Sequence, residues 1–261
     1  VHTAIKTHAL SVHSEDGTTL LNEVDLNVTV GERVALMGRS GSGKSLLSSC
    51  LAGGLSPVLR RTGIVEIQGN PVKNSHVGRI PRVAVVRQDS SEALNPLVRI
   101  GPQLMLPLKV SRRNAAPAGG SGQLLKRVLE LLEAVGLPDG HRITRSFPAQ
   151  LSGGQRQRVC IALALACEPE ILVADEPTTA LDVVSQATVM EALSANIAPS
   201  CTLIFVTHDL TVASTLCERA VVMDSGRIVE DKPMHHLIIS PDHALSVSLV
   251  TEAVRRSEVS A

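Results

Sequence analysis

Tryptophan and tyrosine are absent from this chain, and phenylalanine occurs twice, at Phe147 and Phe205. A function built on aromatic stacking, such as a single-stranded nucleic-acid platform or an aromatic sandwich around a base, is constrained from the outset. Neither sign of charge is in surplus: 25 Lys and Arg balance 25 Asp and Glu over 261 residues. Proteins that grip a phosphate backbone usually carry a basic excess, so no nucleic-acid partner is expected. The longest unbroken apolar run, Val159–Cys167, falls far short of the roughly 20 residues a helical membrane span needs. The start, Val1-His2-Thr3-Ala4, lacks the basic-then-apolar order of a signal peptide. Any membrane role is therefore expected to be peripheral. The five cysteines, Cys50, Cys160, Cys167, Cys201 and Cys217, are odd in number and form no CxxC pair. They read as reduced, mostly buried thiols in a reducing compartment, Cys160 and Cys167 best of all because they lie in the apolar run.

What is present suits a globular core, with 44% hydrophobic and 19% charged residues. Val24, Leu26, Val28 and Val30 alternate with polar residues as in a half-buried strand. Val34–Met37 is a short apolar strand that runs into a glycine-rich loop, with a helix expected from Lys44 to about Ala52. Ile64–Ile67 and Val83–Val86 read as further strands, the second more buried, and the near-continuous apolar character of several strands points to a sheet covered on both faces. Arg112–Gly122 is rich in Gly, Pro and Ala and reads as an exposed loop. Leu124, Leu125, Val128, Leu131, Leu132 and Val135 then recur at helical spacing, and Gly136 ends that helix. Strands are expected at 171–175, 202–207 and 220–223, with helices at about 183–195 and 209–217. Asp224-Ser225-Gly226 reads as a hairpin turn, and a helical tail follows Pro241. The expectation is an α/β core, 1–88 and 166–261, interrupted by a mainly helical insertion at 89–165.

The glycine-rich loop carries the first chemical signal. Gly38-Arg39-Ser40-Gly41-Ser42-Gly43-Lys44-Ser45 fits G-x-x-x-x-G-K-[ST] between a strand and a helix, the setting that a phosphate loop requires. Glycines let backbone N–H groups turn inward around phosphate oxygens, and the helix N-terminus adds partial positive charge. Lys44 is expected on the β- and γ-phosphates and Ser45 on Mg²⁺. The apolar strand Ile171–Ala174 ends in Asp175 and Glu176. Asp175 is the candidate second Mg²⁺ anchor, and Glu176 the candidate group that orients or deprotonates a water. Leu151-Ser152-Gly153-Gly154-Gln155 precedes a helix that Ser152 is placed to cap.

The order phosphate loop, LSGGQ, apolar strand with DE resembles the ATP-binding cassette (ABC) ATPases, and the resemblance covers essentially the whole chain. It implies the ABC ATPase fold: an α/β phosphate-loop (RecA-like) core, an antiparallel β subdomain and a helical subdomain. It implies that Gln88, at the end of a strand, contacts Mg²⁺ and the attacking water, and that His208 contacts the γ-phosphate. It implies that Thr179-Ala180-Leu181-Asp182 touches an opposite subunit. Two subunits of this family face each other head to tail, so Ser152, Gly153, Gly154 and Gln155 would bind the γ-phosphate of the partner's ATP. A homo- or heteromeric pair of ATPases follows. The family's adenine-stacking aromatic has no counterpart here. His13 is the nearest flat side chain, and weak adenine selectivity is expected.

Within that family, Arg87–Leu97 with Ile100-Gly101 and Gln103 resembles the glutamine-loop pattern of oligopeptide, dipeptide and nickel importer ATPases. Phe147–Gly154 and Ala174–Val183 resemble the same group, and Ser40–Leu47 with Leu59–Gly63 is similar to its nickel importer subunit. The resemblance implies a peripheral ATPase on the cytoplasmic face, two membrane permease subunits, a second ATPase and, indirectly, an extracytoplasmic substrate-binding protein. The cargo stays open among nickel, a metal chelate and short peptides. Ser90–Leu97 and the region of Leu104–Leu108 are the candidate permease-docking residues. No cysteine follows Cys217, so the iron–sulfur cluster of longer relatives is not expected. His235, His236 and His243 read as exposed polar residues. A soluble ABC ATPase driving protein or iron–sulfur cluster assembly is the competing function.

Overall fold

The computed structural model describes residues 2–72, 83–90, 93–113, 121–179 and 181–259. Residues 114–120 of the expected loop, Ser91 and Glu92 of the docking candidate, and Ala180 lie outside the described residues. The chain forms two compact units, one of 1–83, 170–175 and 199–261, the other of 84–169 and 176–198.

The first unit opens with β1 (Thr3–His13) and β2 (Thr19–Thr29). β1 has no counterpart in the sequence reading. Its alternation is broken at Ala9, whose φ of 47° marks a bulge, and Asp25 steadies that bulge by accepting from the Ala9 N–H at 2.7 Å. β3 (Arg33–Met37) leads into α1 (Lys44–Leu51), followed by β4 (Arg60–Ile67) and β5 (Asn70–Pro71). β2-β1-β4-β5 form an antiparallel sheet, as the family resemblance implied. The second unit takes over within β6 (Val83–Val86).

The second unit is helical. It holds α2 (Ile100–Arg113), α3 (Ser121–Ala134), α4 (Gly140–Arg145), α5 (Gly153–Ala166) and, after β7 of the first unit (Ile171–Asp175), α6 (Val183–Asn196). Ile100, Leu104 and Leu108 recur every four residues and bury one stripe of α2, while α3 buries Leu124, Val128, Leu131 and Leu132. Gly136 ends α3 with φ 74°, and the Leu137 N–H closes on the Leu132 carbonyl at 2.8 Å. A Cβ at Gly136 would stand 3.0 Å from Thr188 Cγ2 and 3.1 Å from Arg158 Nη1, so the glycine lets α3, α5 and α6 converge.

The remainder of the first unit is β8 (Thr202–Val206), α7 (Leu210–Leu216), β9 (Arg219–Asp224), β10 (Arg227–Pro233), α8 (Met234–Ile239) and α9 (Ala244–Val259). Its strands run in the order β10-β9-β3-β8-β7 in one sheet, parallel from β9 to β7. Every residue of β8 is buried, as are Ile171–Ala174, which fits a sheet covered on both faces. The hairpin β9–β10 turns at Asp224–Arg227. Arg219 ties the unit together: it grips Asp231 with two bonds at 2.6 Å, Glu32 at 2.8 Å and the Asn27 carbonyl at 2.9 Å. Cys50, Cys160, Cys201 and Cys217 are free and buried, but Cys167 is only half-buried because it stands at the C-terminal cap of α5.

Candidate active site

In the first unit the carboxyl ends of three parallel strands come into line. Leu36 of β3 pairs with Val206 of β8, and Val206 pairs with Asp175 of β7. The loop Gly38–Gly43 begins two residues past Leu36, and His208 stands two residues past Val206. This edge, outside the carboxyl ends of the strands, is where open α/β sheets place their ligands. Gly38 has no room for a side chain, since a Cβ would collide with the Met223 carbonyl and stand 2.6 Å from Ser42 Oγ. The Lys44 ammonium folds into the loop and donates to the Gly38 carbonyl at 2.9 Å and the Arg39 carbonyl at 2.7 Å. It is 6% exposed. Arg39, Ser40, Gly41 and Ser45 are exposed, whereas Ser42 is buried and Gly43 half-buried. Asp175 is half-buried at the strand end, and His208 is exposed.

His208 leads directly into Asp209, whose carboxylate caps α7 by accepting from the Thr211 and Val212 N–H groups at 2.9 and 3.2 Å. Arg256 of α9 donates to the other Asp209 oxygen at 3.0 Å. No sequence pattern pairs residues so far apart. His13 is half-buried, and its Nδ1 lies 3.1 Å from Thr19 Oγ1.

The second unit carries the other expected residues. Ser152 caps α5 as expected and does so reciprocally: its Oγ accepts from the Gln155 N–H at 3.2 Å, and Gln155 Oε1 accepts from the Ser152 N–H at 3.1 Å. Gly153 follows in an ordinary right-handed conformation, and a Cβ there would meet nothing within 4 Å. Among the described residues nothing requires a glycine at that position. The missing side chain instead keeps the N–H groups of a helix N-terminus open to whatever approaches.

Gln88 is exposed two residues beyond β6. Glu176 is half-buried with φ 43°, and Thr179 Oγ1 donates to its carboxylate at 3.0 Å and to its carbonyl at 3.1 Å. Asp182 is exposed and caps α6, accepting from the Ser185 N–H at 2.9 Å and the Ser185 hydroxyl at 2.8 Å. The bond from the Ser185 N–H is the main reason its carboxyl lies below the usual range. The sequence reading missed both the cap and the Thr179 contact. Asp three residues before Ser at a helix start was a usable signal for the cap.

Residues 21–179 match the sequence profile of the family described as ABC transporter. The chain belongs to the ABC transporter family. Among curated relatives of this ABC ATPase, the dipeptide transport ATP-binding protein of Haemophilus influenzae is 38% identical over 256 residues, covering 92% of this chain and 74% of that protein. The oligopeptide transport ATP-binding protein of Escherichia coli is 33% identical over 262 residues, covering 96% and 75%. A putative peptide import ATP-binding protein of Brucella ovis is 36% identical over 263 residues, covering 91% and 75%. Among solved structures, a dimeric ATP-binding cassette in a post-hydrolysis state with ADP and Pi superimposes at a TM-score of 0.76, with 31% identity over 88% of this chain and 98% of that one. A Clostridium perfringens protein that is part of an ABC transporter complex gives 0.73, with 25% identity over 99% and 96%. The ABC ATPase fold and the transport-ATPase activity therefore hold for this chain. Among the described residues no helix is long and apolar enough to cross a membrane, and no group of three or more His, Cys, Asp or Glu is placed to hold a metal ion.

Proposed function

We propose that this ABC ATPase powers import of short peptides through two separate membrane permease subunits, as a peripheral protein on the cytoplasmic face. The observation that carries the reading is that relatives matching nine-tenths of the chain are named for peptide, dipeptide and oligopeptide import. Those names favour peptides over nickel or a metal chelate, the other cargoes that the sequence left open. A soluble assembly ATPase remains the competing function.

The residues at the strand edge suit MgATP. A buried ammonium, Lys44, lies within a loop whose glycines leave backbone N–H groups accessible, and a hydroxyl, Ser45, starts the following helix. In our reading Gly38–Gly43 and Lys44 hold the β- and γ-phosphates, and Ser45, Asp175 and Gln88 hold Mg²⁺. When bound there, the ion would supply neutralisation of charge on the phosphate oxygens. Glu176 accepts a proton from the attacking water as its oxygen bonds to the γ-phosphorus and the bridging P–O bond breaks. His208 contacts the γ-phosphate. Ser152–Gln155 of a second ATPase, identical or related, close over this nucleotide, and Asp182 lies beside that partner. The test is Glu176→Gln. ATP binding should stay within about twofold of wild type while hydrolysis falls by at least ~10²-fold, a loss of the size general-base catalysis supplies. Loss of binding, or wild-type turnover, would contradict the assignment.

A further inference from the structure

Gln157 is 1% exposed in α5, five residues after the Ser152 cap. Its Nε2 donates to two carbonyls, that of Arg87 at 3.1 Å and that of Pro177 at 3.0 Å. Arg87 immediately precedes Gln88, and Pro177 immediately follows Glu176. Both carbonyls lie outside regular elements, since β6 ends at Val86 and α6 starts at Val183. One side chain thus bonds to both irregular segments on which the proposed water-positioning groups sit.

Two further observations argue that this bridge serves more than packing. Glu176 holds a left-handed φ of 43°, a conformation that a residue with a side chain keeps only where its surroundings over-determine it. The bond to Pro177 fixes that turn from one side, and Thr179 closes it from the other. Gln157 Oε1 is buried and has no hydrogen-bond partner among the described residues. An idle buried acceptor costs stability. What the amide supplies in return is its two donated bonds, which hold the Arg87 and Pro177 carbonyls.

We propose that Gln157 is a positioning residue for ATP hydrolysis. It clamps the backbone beside Gln88 to the backbone beside Glu176, so that both side chains address one water with a fixed separation. It acts through those residues, and the proposal rests on their assignment above. Gln157→Leu removes both donors at similar volume. In the full chain, assayed in the complex with which it co-purifies, kcat should fall about 10–100-fold, the cost of a displacement near 1 Å. The ATP dissociation constant should stay within about twofold, because the phosphate loop is untouched. In single-turnover assays Gln157→Leu should add little to the loss already caused by Glu176→Gln. Unchanged kcat, equal losses of binding and turnover, or a full multiplicative loss on top of Glu176→Gln would each overturn the proposal. If Gln157→Leu does not fold, Gln157→Glu decides. A carboxylate there faces two carbonyls and regains a donor only when protonated, so its activity relative to wild type should rise as pH falls from about 8 to about 6. A pH-independent ratio would overturn the proposal. Glu176→Gln alone reports on the underlying assignment: an active Glu176→Gln sinks both ideas, while an inactive one beside an unaffected Gln157→Leu sinks the clamp alone.

Discussion

Gly153→Ala separates what the LSGGQ segment does for the chain from what it does for a second molecule. Gly153 is the first residue of α5, its φ is not left-handed, and an added methyl would meet nothing within 4 Å. Alanine is preferred over glycine in a helix by roughly 0.5–1 kcal/mol. The variant should thus be as stable as wild type or gain up to about 1 kcal/mol, which is a rise of up to about 2–4 °C in Tm for a chain of this size. The same methyl stands at the open N-terminus of α5, where the partner's γ-phosphate would approach the helix N–H groups. Losing one such anion-binding donor costs on the order of 10²-fold in turnover, so ATPase activity should fall at least tenfold. Gly136→Ala is the contrasting control. That residue has φ 74°, and its methyl would press on Thr188 Cγ2 at 3.0 Å and Arg158 Nη1 at 3.1 Å, so melting should drop measurably. Differential scanning calorimetry and a phosphate-release assay on both variants read the outcome. A Gly153→Ala protein that melts lower than wild type, or that hydrolyses ATP normally, would refute the reasoning.

Further outcomes are expected. Lys44→Ala should abolish ATP binding in equilibrium dialysis, and near-normal affinity would remove Lys44 from the phosphate site. ATP and GTP should be hydrolysed with KM values within about tenfold, since no aromatic supplies the ~1–3 kcal/mol of base stacking. Burial raises the Glu230 pKa, but bonds from the Asp242 and His243 N–H groups and the ion pair with Lys232 outweigh it and hold it at about 2 against an ordinary 4.5. The folded value is the lower one, so this stabilisation, at most about 3 kcal/mol, is present above about pH 4.5 and is lost as pH falls toward 2. Glu230→Gln should therefore be less stable at pH 7, and its stability should fall less steeply with acid. Parallel acid limbs would contradict this. Burial pushes the thiols of Cys50 and Cys201 up to about 11 and those of Cys160 and Cys217 up to about 12. A disulfide reagent at pH 8 should react with half-buried Cys167 first, and early labelling of Cys160 would speak against the packing.

What could be read before folding was whatever the backbone demands locally. The phosphate loop needs small residues between a strand and a helix, and the Ser152–Gln155 capping box needs its two polar residues three apart, so both motifs carry their geometry in their spacing. The amphipathic stripe of α3 and its Gly136 stop are legible for the same reason. β1 is not, because the Ala9 bulge shifts its side-chain alternation part-way along the strand and two weak half-patterns remain. Cys167 sits in an apolar run, yet the run ends at a helix cap, which leaves it half exposed. Arg219 with Glu32 and Asp231, and Arg256 with Asp209, are set by tertiary approach and leave no local trace. Gln157 belongs with them: along the sequence it is one polar residue among several at the start of a helix, and its meaning lies in two carbonyls 70 and 20 residues away.

The most direct test of the transport reading uses the Glu176→Gln protein in its native host. MgATP is added, the membranes are gently solubilised, and the chains that co-purify are identified by mass spectrometry. The account predicts two multi-span permease subunits and a second ATPase in nucleotide-dependent association, whose reconstitution in vesicles takes up short peptides. A soluble scaffold with no membrane protein would contradict it and leave an assembly ATPase using the same chemistry.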